Sequence, residues 1–238
     1  MKTKLLLFFA VLAGYAFAAQ PGGESHQTDA DPRVSKFAVS GISAIQALLQ
    51  LSRAEHLPMG IIEDDASLCK SVVSYSAENE RASTIITRII AQVPGYTWQR
   101  VPDSTVFHVA PVAPRPVTAQ FLELIDPRFG PTRNNLQGLE VTLWVHIRYI
   151  LYPDQGTAGS ILSSTNARAY KLEARDASVQ RILDSMAVLV KGAWVLRPLP
   201  STLAKLTGDM PFSIFADDDQ GMLASGDICA PIREMESK

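Results

Sequence analysis

The chain has 238 residues, enough for one large domain or two small ones, and its 47% hydrophobic and 19% charged residues are those of a folded protein rather than a disordered one. A net charge of −2 supplies no basic field for gripping a polyanion, which removes nucleic acid from the expected partners. The only two cysteines, Cys69 and Cys229, are too distant in sequence for the close ligand pairs of a zinc site.

Residues 1–18 read as a signal peptide. Lys2 and Lys4 precede a short apolar run, Leu5 to Ala13, and Ala16-Phe17-Ala18 offers a cleavage site. The run is short for a bilayer core of roughly 30 Å, and nothing later is long and apolar enough to span one. The mature chain is therefore expected to be exported, to a periplasm or beyond, with no stable membrane span. Export also permits a disulfide between Cys69 and Cys229; two unrelated thiols remain the alternative, since sequence does not supply the distance that decides it.

Residues 19–35, rich in Gly, Pro, Ser, Asp and Gln, read as a disordered leader. A first strand is expected from Lys36, then a helix from about Gly41 to His56 with Ile42, Ile45, Leu48 and Leu49 on one face. Met59 to Ile62 form a short strand, and Glu63-Asp64-Asp65 read as an exposed charged turn. A third strand from Val72 leads to a helix with Ala82, Ile85, Ile86, Ile89, Ile90 and Val93 in one stripe, capped by Asn79 or Ser83. Pro94-Gly95 ends it, and a hairpin from Tyr96 to Val109 follows. Residues 111–117 form a proline-rich linker that would hold two units apart.

Beyond the linker, Phe121 to Ile125 suit an opening strand. Leu136 to Leu151 fit helix and strand periods alike, with length favouring the helix. Tyr170 to Ala174 then form a strand, and Val179, Ile182, Leu183, Met186, Ala187 and Val190 a helical stripe. A shift of 97 residues carries the earlier stripe onto this one position for position, with Tyr75 falling on Leu172, Asn79 on Asp176 and Gly95 on Gly192. One supersecondary unit is thus used twice. Phe212 to Ala216 form the closing strand of the second unit, and residues 217–238 a polar tail. The expected architecture is α+β, with two tandem βαββαββ modules over 36–110 and 118–216, each a small mixed sheet with two helices on one face.

The first unit resembles the short N-terminal domain shared by bacterial secretins and some TonB-dependent receptors. The likeness is carried by Ile45 to Arg53, Leu57 to Ile61, Ser83 to Ile90 and Tyr96 to Val101; a looser copy covers 117–216. The resemblance implies a periplasmic contact module, not an enzyme, whose partner is another envelope protein. No secretin body or barrel follows, so transport is not implied.

Other chemistry is thin. Ser67-Leu68-Cys69-Lys70 fits the S-x-x-K form of penicillin-recognising serine enzymes, with Lys205-Leu206-Thr207-Gly208 a faint echo of their K-T-G strand. An envelope-directed serine hydrolase using Ser67 and Lys70 is therefore one alternative. However, Ser67 is expected in a loop, and no S-D-N is present. A small-ligand or glycan binder in the groove between modules is another, with Trp98 and Trp194 as its candidate surface. The four histidines lack zinc-helix spacing, Asp217-Asp218-Asp219 lacks the later ligand of a calcium loop, and no cofactor or metal is expected.

Overall fold

The computed structural model describes residues 31–102, 104–154, 168–198, 212–217 and 228–229. The expected signal peptide, residues 19–30 of the leader, the Lys205–Gly208 motif and most of the tail lie outside them. The fold is α+β.

Strand β1 (Arg33–Ser43) starts within the expected leader, because Val34 is buried and pairs opposite Glu80. Helix α1 (Ala44–Glu55) opens with a capping box: Ser43 Oγ accepts the Gln46 N–H, and Gln46 Oε1 accepts the Ser43 N–H. Strand β2 (Met59–Ile62) is buried at every position. A single turn, α2 (Ser67–Lys70), precedes β3 (Val72–Arg81) and α3 (Ala82–Ile90). Neither expected residue caps α3. Asp31, just ahead of β1, accepts the Ser83 N–H (2.9 Å) and hydroxyl (2.8 Å), while Asn79 takes a left-handed backbone before the helix. Strands β4 (Tyr96–Arg100) and β5 (Phe107–Pro111) form the hairpin.

The linker is shorter than expected. Pro111 ends β5, and Pro116 starts α4 (Pro116–Glu123), where its fixed φ and missing N–H suit the first helical turn. Phe121 to Glu123 are consequently helical, and β6 (Ile125–Asn134) begins after them. Leu136 to Leu151 form a helix, α5, with Leu136, Leu139, Leu143 and Ile147 buried and Asn135 Oδ1 accepting the Gly138 N–H. Strand β7 (Tyr170–Ser178), α6 (Val179–Val190), β8 (Ala193–Pro198) and β9 (Phe212–Asp217) complete the described chain.

The 97-residue correspondence is visible in the backbone. Asn79 and Asp176, equivalent under the shift, both have positive φ, 54° and 46°; short polar side chains tolerate that conformation best. The β1–β3 and β6–β7 pairs are antiparallel two-stranded ribbons, each with a register irregularity in its first strand, at Gly41 and at Gly130.

The two units do not keep separate sheets. Five strands join in the order β4-β5-β2-β8-β9, with β2 parallel to both β5 and β8. One face carries Met59, Ile61, Phe107, Val109, Ala193 and Val195, packed under α1 and α3 and backed by the β1–β3 ribbon. The other carries Ile62, Trp194, Leu196, Phe212 and Ile214, packed under α4, α5 and α6 and backed by β6–β7. The layering is ribbon, helices, shared sheet, helices, ribbon. The reason lies in β2 and β8, which are buried on both faces, so each needs a strand along both edges and helices above and below. The repeat stops at the hairpins: in the first unit the second hairpin strand, β5, lies beside β2, and in the second unit the first, β8, does.

Candidate functional site

The shared sheet brings together residues far apart in sequence. Gly60 of β2 lies in register with His108 of β5 on one side and Trp194 of β8 on the other. Lacking a side chain, it lets the two rings meet edge to face with centroids 5.7 Å apart. A Cβ at Gly60 would stand 2.6 Å from Trp194 Cε2 and 2.7 Å from His108 Cδ2. Asp184, on α6, receives both rings through one oxygen: Trp194 Nε1–H donates to Oδ1 at 3.0 Å, and His108 Nε2 lies 2.7 Å from it. Gln180, one turn earlier, places its amide nitrogen 3.1 Å from His108 Nδ1.

Asp184 also lines a groove of about 730 Å³ between the β4–β5 turn and the β7–α6 junction. Val101, Pro102, Val188 and Leu189 give it apolar walls, and Ser104 and Arg181 contribute polar groups. It lies between the two repeated units, where a ligand groove was expected, but neither Trp98 nor Trp194 is among its lining residues. Trp194 is fully buried behind Asp184, and Trp98 packs on the opposite side of the sheet, against Phe107 and with Nε1 donating to Thr87 Oγ1. The two tryptophans therefore do not share a binding surface.

The acidic turn is not an exposed one. Glu63 is 1% exposed and receives Arg197 Nε at 2.8 Å, with Nη2 on the same oxygen, while the Cys69 N–H donates to Oε1 at 2.9 Å. Arg197 Nη1 donates to the Ile228 carbonyl at 2.7 Å. Beside this cluster Cys69 and Cys229 form a disulfide with Cα atoms 5.5 Å apart, so Ile228 and Cys229 of the expected tail are buried in the first core. Removing the bridge by Cys69→Ala with Cys229→Ala, or by reductant, is expected to cost about 2–4 kcal/mol. Urea denaturation with and without reductant checks this.

Asp64 is also buried, accepting the Thr118 hydroxyl (2.6 Å) and the Arg115 N–H (2.8 Å), which fixes the chain entering α4. Only Asp65 is exposed. Burial would lift its pKa, but hydrogen bonds from the Ser67 N–H, the Ser67 hydroxyl and Tyr96 outweigh it and hold the carboxyl below its ordinary value. The Tyr96 hydroxyl donates to Asp65 Oδ1 (3.0 Å) and accepts the Asp64 N–H (3.2 Å). Burial, then the Asp65 charge, push the Tyr96 pKa well above its usual value. The folded state thus holds this proton more tightly than the unfolded chain does. Its contribution to stability is complete below the unfolded tyrosine pKa of about 10 and is lost as pH rises above it. Tyr96→Phe is expected to flatten the loss of stability between about pH 9 and 11, measured by urea denaturation.

Ser67 starts α2 rather than lying in a loop, with Lys70 on the same single turn. Its N–H goes to Asp65 Oδ1 (3.1 Å) and its hydroxyl to the same carboxylate, not to a lysine base. Of the histidines, His56 closes α1 in a left-handed conformation and His146 Nδ1 lies 2.8 Å from buried Asp126. Among the described residues no His, Cys, Asp and Glu cluster is arranged to hold a metal ion. The His108–Asp184 pair escapes sequence reading because its members are separated by 76 residues. Its two faint signals are a histidine inside the apolar β5 and an aspartate where the repeat elsewhere places Thr87. Comparison of the chain with known protein families, with curated proteins and with solved structures finds no match.

Proposed function

We propose that this chain is an exported, non-catalytic contact protein of the bacterial cell envelope, whose partner is another envelope protein. The observation that carries the reading is β4. Among the described residues it is the outer strand of a five-stranded sheet, bonded only to β5, and its Thr97, Gln99 and Arg100 are exposed. Such an edge can accept an extended segment of a partner through main-chain hydrogen bonds. The first unit also has the order strand, helix, strand, strand, helix, strand, strand, with only α2 interposed, as in the secretin and TonB-receptor domain it resembles. A second groove, of about 580 Å³ between β6 and α5 and flanked by exposed Ile125 and Tyr149, adds apolar contact surface. Among the described residues, no helix is long and apolar enough to cross a membrane.

A photo-crosslinking residue at Thr97 or Gln99, in cells exporting the protein, is expected to give a discrete protein adduct. The same residue at Ser76, exposed on the β1–β3 ribbon, should not. Silence at the β4 edge, or equal adducts from Ser76, would count against the reading.

A further inference from the structure

We propose that the groove beneath the β4–β5 turn binds a small zwitterion, an α-amino acid with an apolar side chain, with Asp184 taking its ammonium and Arg181 its carboxylate. This goes beyond the contact role and does not rest on it.

The repeat supplies the argument. Under the 97-residue shift Asp184 corresponds to Thr87, and each accepts an indole N–H from the strand that follows its helix: Trp98 to Thr87 at 2.9 Å, Trp194 to Asp184 at 3.0 Å. A neutral hydroxyl is sufficient for that structural task. The second unit uses a carboxylate instead, with a side chain only 14% exposed, and sequestering a charge in this way is costly unless a counter-charge meets it. The indole that donates to it carries no charge. His108 and Trp194 both occupy Oδ1, which leaves Oδ2 without a hydrogen bond among the described residues.

The groove fits a zwitterion. Arg181 lies three residues before Asp184 on α6, so the two side chains are neighbours on the helix surface and present both signs to one small molecule. A guanidinium suits a carboxylate, which it can grip through two parallel hydrogen bonds. Val101, Pro102, Val188 and Leu189 offer an apolar wall for a side chain, and about 730 Å³ is ample for a ligand of this size.

The test follows amide shifts of Ser104, Gln180 and Ser185 in the full chain during titration with three probes: L-phenylalanine, phenethylamine, which lacks the carboxylate, and 3-phenylpropionate, which lacks the ammonium. L-Phenylalanine is expected to bind at least about tenfold more tightly than either of the others. Asp184→Thr, which installs the residue of the first unit, should abolish binding. Arg181→Gln should weaken L-phenylalanine but not phenethylamine. Asp184→Asn, nearly isosteric, serves the same purpose if the threonine variant does not fold. No shifts up to about 10 mM L-phenylalanine, binding retained in the Asp184 variant, or 3-phenylpropionate binding equally well would each overturn the proposal.

Discussion

Arg197→Met is expected to lower the free energy of unfolding by about 3–5 kcal/mol, the usual cost of leaving one partner of a buried ion pair alone. Glu63 would keep the Cys69 N–H but lose its counter-charge at a position 1% exposed. Arg197 also holds the Ile228 carbonyl, so the same change loosens the segment that carries Cys229. Urea denaturation followed by tryptophan fluorescence would measure it. The double variant Glu63→Gln with Arg197→Met should recover much of the loss, because the unpaired charge disappears. A double variant as unstable as Arg197→Met alone would mean that the arginine acts through packing or Ile228 rather than through the ion pair.

Gly60→Ala should be nearly as damaging, at about 3 kcal/mol, the upper part of the range for forcing an extra methyl into a packed core. The added carbon would press on two rings that cannot swing away: Trp194 is tied to Asp184, and His108 is held between Asp184 and Gln180. Thermal unfolding should show a midpoint roughly 6–12 °C lower for a chain of this size. The strain is shared with Trp194, so Gly60→Ala combined with Trp194→Phe should be less destabilised than the sum of the two single changes, by about 1 kcal/mol or more. Strict additivity would show that the clash is relieved by backbone movement instead.

Local pattern made most of the elements legible in the sequence. Met59 to Ile62, the two matching helical stripes, the hairpin after Gly95 and the strand at Phe212 lie where period and breakers place them. The 97-residue correspondence resolves what period alone leaves open at Leu136 to Leu151, since that stretch stands in the place of α1. The union of the two sheets was not legible. A strand buried on both faces announces that it needs neighbours, but β2 finds one of them, β8, more than 130 residues later, and no local signal names it. The acidic turn misled for the same reason. Glu63-Asp64-Asp65 has the composition of a solvated loop, and only the distant Arg197, Thr118 and Arg115 make two of its carboxylates interior groups. Trp194 reads as a surface candidate until the histidine and aspartate that surround it arrive from other parts of the chain.

The placement of β2 has a consequence for how the chain can be divided. It belongs to the first unit by order but is flanked by hairpins from both, so cutting the polypeptide between Val112 and Arg115 would not release two independent domains. The N-terminal fragment would display β2 with one bare hydrogen-bonding edge, and the C-terminal fragment would present β8 with the matching one. Expressed together under oxidising conditions, the fragments should reassemble as a heterodimer joined by the Cys69–Cys229 bridge; expressed alone, each should aggregate. In the intact protein neither half can reach its final form until almost the whole chain has emerged, because β2 waits for β8.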